Sequence, residues 1–268
     1  MLIASELDER QAVLAGSGGL AALARRLAGR AAPVIAGRPP IPLAKALLSV
    51  DGGVCPDDGA TLEFDPWSPR EHRCRSCGKS FRGERHERWW ARFQHLWLAE
   101  QAATLAALAS LAGHDDAAKA AAGILSDYAN AYFDFPNRDN VLGPSRLFFS
   151  TYLDSIWITN YLAAAVLLRE AGLLEESVAE GVNTVADEAA NLIGEFDEGF
   201  SNRQTWNNAA LAAIAVWFED EELGSRAVEG PTGVVAQMVR GFGEDGMWYE
   251  GENYHLFALR GQLIAMGW

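Results

Sequence analysis

Cysteine is scarce in this sequence: there are three in 268 residues, an odd number. No basic stretch followed by an apolar run opens the chain at Met1–Arg10. A disulfide-built secreted scaffold is therefore not expected, and the cytoplasm is the expected compartment. Positive charge is short as well. Lys and Arg total 22 against 36 Asp and Glu, for a net charge of −14. Such a field repels a phosphate backbone, so nucleic acid is not an expected partner, and a polyanionic ligand needs a local basic patch. Long apolar runs are missing. The longest stretch, Ala209–Phe218, is about half of the roughly 20 residues that span a bilayer, so no membrane role is expected. Strand-like alternation is rare, and no short repeat of the TPR or HEAT kind recurs.

What is present is an apolar fraction of 49% with 22% charged residues, which suits a folded chain with a sizeable core. Helical spacing runs through Glu6–Arg30, breaks at Gly37-Arg38-Pro39-Pro40, and resumes from Glu84. From there the pattern predicts helices over Glu84–Ala112, Asp115–Phe133, Phe148–Ala171, Glu175–Phe196, Thr205–Glu219, Gly233–Phe242 and Asn253–Trp268. Helices of similar length joined by short Gly- and Asp-rich turns predict an all-α fold of stacked antiparallel hairpins. Three parts are expected: a helical segment over residues 1–50, a Cys-bearing insert over 51–83, and a helical domain over 84–268. The final segment ends without a terminating glycine motif or polar tail, and the natural chain is expected to continue beyond it. Nine Trp, twelve Phe and six Tyr suit a thick helical core or a sugar-stacking cleft, the core being the simpler reading.

The insert places Cys55-Pro56 ahead of His72-Arg73-Cys74-Arg75-Ser76-Cys77-Gly78-Lys79. Two thiolates three positions apart in a tight turn reach one tetrahedral metal, Cys55 adds a third sulfur, and His72 is the nearest fourth ligand, with His86 not far behind. The expectation is a structural Zn²⁺ on Cys55, His72, Cys74 and Cys77, clipping a loop too small to build a core of its own. A disulfide with one thiol left over is the plainer alternative.

Two polar segments interrupt the apolar helices. Ser201-Asn202-Arg203-Gln204-Thr205-Trp206-Asn207-Asn208 opens a helix, and Asp245-Gly246-Met247-Trp248-Tyr249-Glu250-Gly251 leads to Tyr254-His255. Capping explains Ser201 or Asn202 alone, but not the density of polar residues that follows. Glu250 and Glu252 alone fit a solvated acidic turn, and His255 fits a packed core histidine. Together these segments resemble the toroid signatures of the heparinase II/III-like polysaccharide lyases: Asn202 to Trp206 resembles an Asn-His-x-x-Trp region, and Asp245 to His255 an Asp-Gly-x-Trp-x-Glu-Gly…Tyr-His segment. Asn202 and Tyr254 are spaced much as that family's catalytic Asn and Tyr are. Leu153-Asp154-Ser155-Ile156-Trp157 and the Cys55–Cys77 insert are similar to further segments of some relatives. The resemblance implies an incomplete (α/α) toroid, normally followed by a β-sandwich domain, which is expected beyond the given residues.

It also implies β-elimination on an acidic polysaccharide or oligosaccharide. Removing the proton alpha to a uronate carboxylate piles negative charge onto that carboxylate, and an uncharged amide donor such as Asn202 spreads it. By the same resemblance Tyr254 acts as acid and base, and Arg203, Gln204, Trp206, Asn208, Trp248, Glu250 and His255 line the substrate site. Arg203 stands where relatives carry His. Arginine is a poor base but binds carboxylates in bidentate fashion, so a histidine base is not expected at that position. Two other readings compete. One is a glycoside hydrolase using two carboxylates from Glu250, Glu252, Asp245 and Asp154. The other is a non-catalytic carbohydrate-binding module.

Overall fold

A computed structural model describes residues 4–48 and 51–268. The fold is built almost wholly of helices: α1 (Ala4–Ala15), α2 (Gly19–Ala36), α3 (Glu84–Ala112), α4 (Asp115–Ala131), α5 (Thr151–Glu170), α6 (Glu176–Gly194), α7 (Asn202–Phe218), α8 (Glu221–Glu229), α9 (Val234–Gly241) and α10 (Glu252–Gly267). The one sheet among the described residues pairs β1 (His72–Arg73) with β2 (Ser80–Phe81), antiparallel, with His72 opposite Phe81. The all-α expectation holds. No helix among the described residues is long and apolar enough to cross a membrane.

Helices α3, α5, α7 and α10 form a row in which each packs on the next. Between successive members the chain returns through helices on one flank: α4 packs on α3, α6 on α4 and α5, and α8 on α7. α1 and α2 lie against α3. Like ends meet along the row: Ser110 bonds Leu167 near the ends of α3 and α5, Ser155 bonds Asn207 near the starts of α5 and α7, and Asn202 at the start of α7 bonds Glu250 just before α10, so the N-termini gather at one end. Small residues make the close packing possible. α3 buries Ala91, Ala99, Ala102, Ala106 and Ala109 beside Leu98 and Leu105. α7 is buried on every side from Thr205 to Ala215, which accounts for its unbroken apolar run: it lies between α5 and α10 with α8 over it. At Gly261 of α10 a side chain would come within 3.0 Å of Thr205 Cβ, so glycine there allows the two helices to touch backbone to backbone.

Three boundaries differ from the periodicity. The single helix expected over Glu6–Arg30 is two, parted at Gly16-Ser17-Gly18, where glycine's backbone freedom makes continuation costly. The second continues past Arg30, through Pro33, to Ala36. α8 was not expected at all. It is short, holds Gly224, and starts on an Asp220 side chain that accepts from the Leu223 amide.

Candidate functional site

The two polar segments meet at the row's N-terminal end. Ser201 caps α7 by accepting the Gln204 amide at 3.1 Å, and Asn202 is the first helical residue. Glu250, in the loop before α10, reaches across. One of its oxygens, Oε2, accepts the backbone N–H of Asn202 at 2.6 Å, the Asn202 side-chain N–H at 2.9 Å and the indole N–H of Trp248 at 2.7 Å. A carboxylate can only accept, so the Asn202 amide nitrogen must face it. That amide carries two hydrogens and keeps one unclaimed by Glu250. Tyr254, in the first turn of α10, is half exposed. His255 accepts the Trp248 amide through Nδ1 at 3.2 Å and packs its ring on Phe242.

Arg203 is ion-paired with Glu198, whose carboxylate is almost fully buried. Tyr249 is exposed and donates its hydroxyl to the Phe200 carbonyl. Its phenol is pushed up from the usual range by burial and by the Glu250 carboxylate, with Arg203 acting the other way. Neither Glu198 nor Tyr249 stood out in the sequence. Arg240 lies over the Phe200 ring and Arg260 over Trp206, so two more cations border this end of an acidic molecule.

Four residues expected to line a sugar site are instead committed to the interior. Gln204 accepts the Glu198 amide at 2.9 Å and donates to Asn208 at 2.9 Å, and Asn208 in turn donates to the Thr232 carbonyl at 2.8 Å. Trp206 and Trp248 are only 2% and 1% exposed. They pack on Phe257 and Phe242, and Gly241 leaves the room that Trp248 fills. The dense run of polar residues is thus mostly an internal network that fixes the α7 start against its neighbours, extended to α5 by Ser155 donating to Asn207 at 2.8 Å. Of the carboxylates considered for hydrolysis, Asp245 and Glu252 are exposed, whereas Asp154 is buried and accepts the Arg146 amide at 3.0 Å. Burial raises the Asp154 carboxyl to about 6.

The insert gathers a second cluster. Ligand atoms of Cys55, Asp58, Cys74 and Cys77 all lie within 4.8 Å of one another. Cys55 Sγ is 3.8 Å from Cys77 Sγ, and Cys74 Sγ is 3.5 and 3.6 Å from the two Asp58 oxygens. Burial pushes the Cys55 thiol up to about 12, and the Asp58 carboxylate adds to that. Burial opposes ionisation of Cys74 too, but the N–H groups of Cys77 and Ser76 outweigh it and its thiol is lowered. No disulfide links the three cysteines.

His72 corrects the expected ligand set. It is buried outside this group, edge-on to Trp89 at 6.0 Å, with neither ring nitrogen hydrogen-bonded. It belongs to strand β1, which pairs before the Cys74 turn begins, and so its ring is drawn towards α3. His86 is likewise held elsewhere, by the Gly52 carbonyl at 2.5 Å from its Nδ1. Comparison with protein-family models finds no match, and comparison with curated proteins finds no significant relative.

Proposed function

We propose that this chain is the helical part of a lyase that cleaves a uronate-containing glycan by β-elimination, on an incomplete (α/α) toroid with a zinc-clipped insert. The observation that carries the reading is the Glu250 bridge. It orients the Asn202 amide and ties the start of α7 to the loop before α10, in which Glu250 stands four residues before the half-exposed Tyr254. In this reading the free N–H of Asn202 donates to the sugar carboxylate as charge builds on it. The Tyr254 phenolate takes the proton alpha to that carboxylate. The electron pair of the broken C–H bond forms the new double bond and the glycosidic C–O bond breaks. The same phenol then returns the proton to the departing oxygen. Arg240 and Arg260 supply the local positive charge that an acidic ligand needs on a body of net charge −14, while Arg203 is balanced by Glu198. The three thiols and the carboxylate of the insert suit Zn²⁺ held in a structural role, with no ligand position left for water.

The test is elimination itself. Incubation with alginate and with heparan sulfate, separately, is expected to raise the ultraviolet absorbance of a conjugated double bond with one of them. Tyr254→Phe should abolish that rise while glycan affinity changes less than about twofold. Asn202→Ala should lower turnover by about 10²–10³-fold. New reducing ends without new absorbance would replace the lyase reading by a hydrolase. Binding without either product would replace it by a carbohydrate-binding role.

A further inference from the structure

The insert contains the same turn twice. In the first, Cys55-Pro56-Asp57-Asp58-Gly59-Ala60, the Cys55 carbonyl accepts the Gly59 amide at 3.0 Å and the Cys55 amide donates to the Ala60 carbonyl at 2.8 Å. In the second, Cys74-Arg75-Ser76-Cys77-Gly78-Lys79, the Cys74 carbonyl accepts the Gly78 amide at 3.1 Å and the Cys74 amide donates to the Lys79 carbonyl at 2.8 Å. Both glycines sit at φ 73°, a left-handed conformation in which glycine alone is unstrained. Asp58 therefore stands in the first turn where Cys77 stands in the second. An isolated bridge between Leu62 and Cys74 ties the two halves together.

Two of the donor spacings match those of a tetrahedron around zinc, and all donors lie within 4.8 Å of one another. With Zn–S near 2.3 Å and Zn–O near 2.0–2.2 Å, the edges of a tetrahedral site are about 3.8 Å between two sulfurs and about 3.5–3.6 Å between sulfur and oxygen. The Cys55–Cys77 and Cys74–Asp58 distances of 3.8 and 3.5 Å are two opposite edges of that figure. Three thiolates and one carboxylate complete the coordination sphere, and no place is left for His72.

We propose that the insert is a two-turn metal site with a Cys₃Asp donor set, in which the Asp58 carboxylate is the fourth ligand and His72 takes no part. This rests on the reading of the insert as a zinc clip and deepens it. A Cys₃Asp zinc site carries a net charge of −2, and cations stand beside it: Lys79 is ion-paired to Asp57 at 2.6 Å, and the Arg73 guanidinium lies over the second turn at Gly78. The site also fastens the start of α3, since Trp89 packs on the core formed by Cys55, Leu62 and Cys74 and lies where any side chain at Gly53 would be.

The experiment compares ligand variants of the whole chain, purified without chelator, by metal analysis and by the visible spectrum after replacement with Co²⁺. Wild type should hold about one Zn²⁺ per chain, and its Co²⁺ form should show thiolate charge-transfer bands. Asp58→Ala should fall below half an equivalent. Asp58→Cys should retain the metal and raise the charge-transfer absorbance by about one third, as three thiolates become four. His72→Ala should match wild type in content and spectrum. Loss of metal in His72→Ala with full retention in Asp58→Ala would overturn the proposal and leave the zinc clip standing. A wild-type chain that takes up neither ion, or whose mass shows a disulfide, would remove the clip itself.

Discussion

Glu250 should be worth far more to stability than its place in a loop suggests. Among the described residues its Oε2 is the only acceptor for the Asn202 side-chain N–H and the Trp248 indole N–H, and it also accepts the Asn202 backbone N–H. Asn202 is 3% exposed and Trp248 1%, so water reaches those donors poorly once the carboxylate is gone. A buried donor left without a partner costs about 1–3 kcal/mol. Three such donors set an upper bound near 9 kcal/mol, and water entering the space left by a truncated side chain recovers part of it. Glu250→Ala is therefore expected to cost about 3–4 kcal/mol. Glu250→Gln keeps the shape and one accepting oxygen. It loses the charge that reinforces these bonds and the favourable placement of an anion at the α7 N-terminus, together about 1–2 kcal/mol.

Urea unfolding followed by far-ultraviolet circular dichroism, with the two variants compared at equal slope, reads these differences directly. A double-mutant cycle with Asn202→Ala should show a coupling of at least about 1 kcal/mol, because both changes dismantle one contact. A Glu250→Ala protein within about 0.5 kcal/mol of wild type, or a Gln variant as damaged as the Ala variant, would refute the reasoning: the first denies that the donors are trapped, the second that an accepting oxygen matters.

Two other perturbations test neighbouring parts of the fold. Asp154, raised to about 6 by burial, binds a proton in the folded state that it has already lost in the unfolded chain between about pH 4 and 6; stability should thus fall as pH rises through that window, by about 2–3 kcal/mol relative to Asp154→Asn, measured by urea unfolding at pH 4.5, 5.5 and 6.5. A variant with the same pH slope as wild type would assign the slope to other groups. Gly261→Ala should lose about 1–2 kcal/mol in the same assay, because overpacking of about 1–3 kcal/mol against Thr205 outweighs a helix-propensity gain of up to about 1 kcal/mol. A gain in stability would show that α7 and α10 part easily.

Most of the fold was legible because its signal is local. Apolar residues recur at helical spacing through α3 to α7, and the interruptions fall at Gly113, Gly172 and the Phe135-Pro136 pair. What periodicity missed was short or contested: α8 has only nine residues, and the Gly16-Ser17-Gly18 break lies within a pattern that otherwise continues. The thiol–carboxylate cluster of the insert was half legible. The Cys74-to-Cys77 turn is a strong signal by itself, whereas Asp58 is hidden among many acidic residues until Cys-x-x-Asp-Gly is laid over Cys-x-x-Cys-Gly. His72 misled because nearness in sequence to Cys74 is not nearness to its turn.

The polar residues of α7 show where reading by residue type runs out. Trp, Asn and Gln in one dense segment are chemically suited to hold a sugar, and equally suited to hold a helix. Which role they take depends on the neighbours that the fold supplies. α7 is enclosed by α5, α8 and α10, so any polar side chain on its inner turns must find a partner inside the protein or bear the cost of burial alone. Gln204, Asn207 and Asn208 find theirs in Glu198, Ser155 and Thr232. At the helix start, Asn202 keeps one amide hydrogen that Glu250 does not take, and Arg203 beside it is partly exposed and paired with Glu198. That narrows any ligand chemistry here to the helix starts and the loop before α10. It also explains why the same stretch reads as a binding motif in sequence and as a structural lock in three dimensions: a polar network rigid enough to hold Glu250 against Asn202 is what a preorganised donor requires.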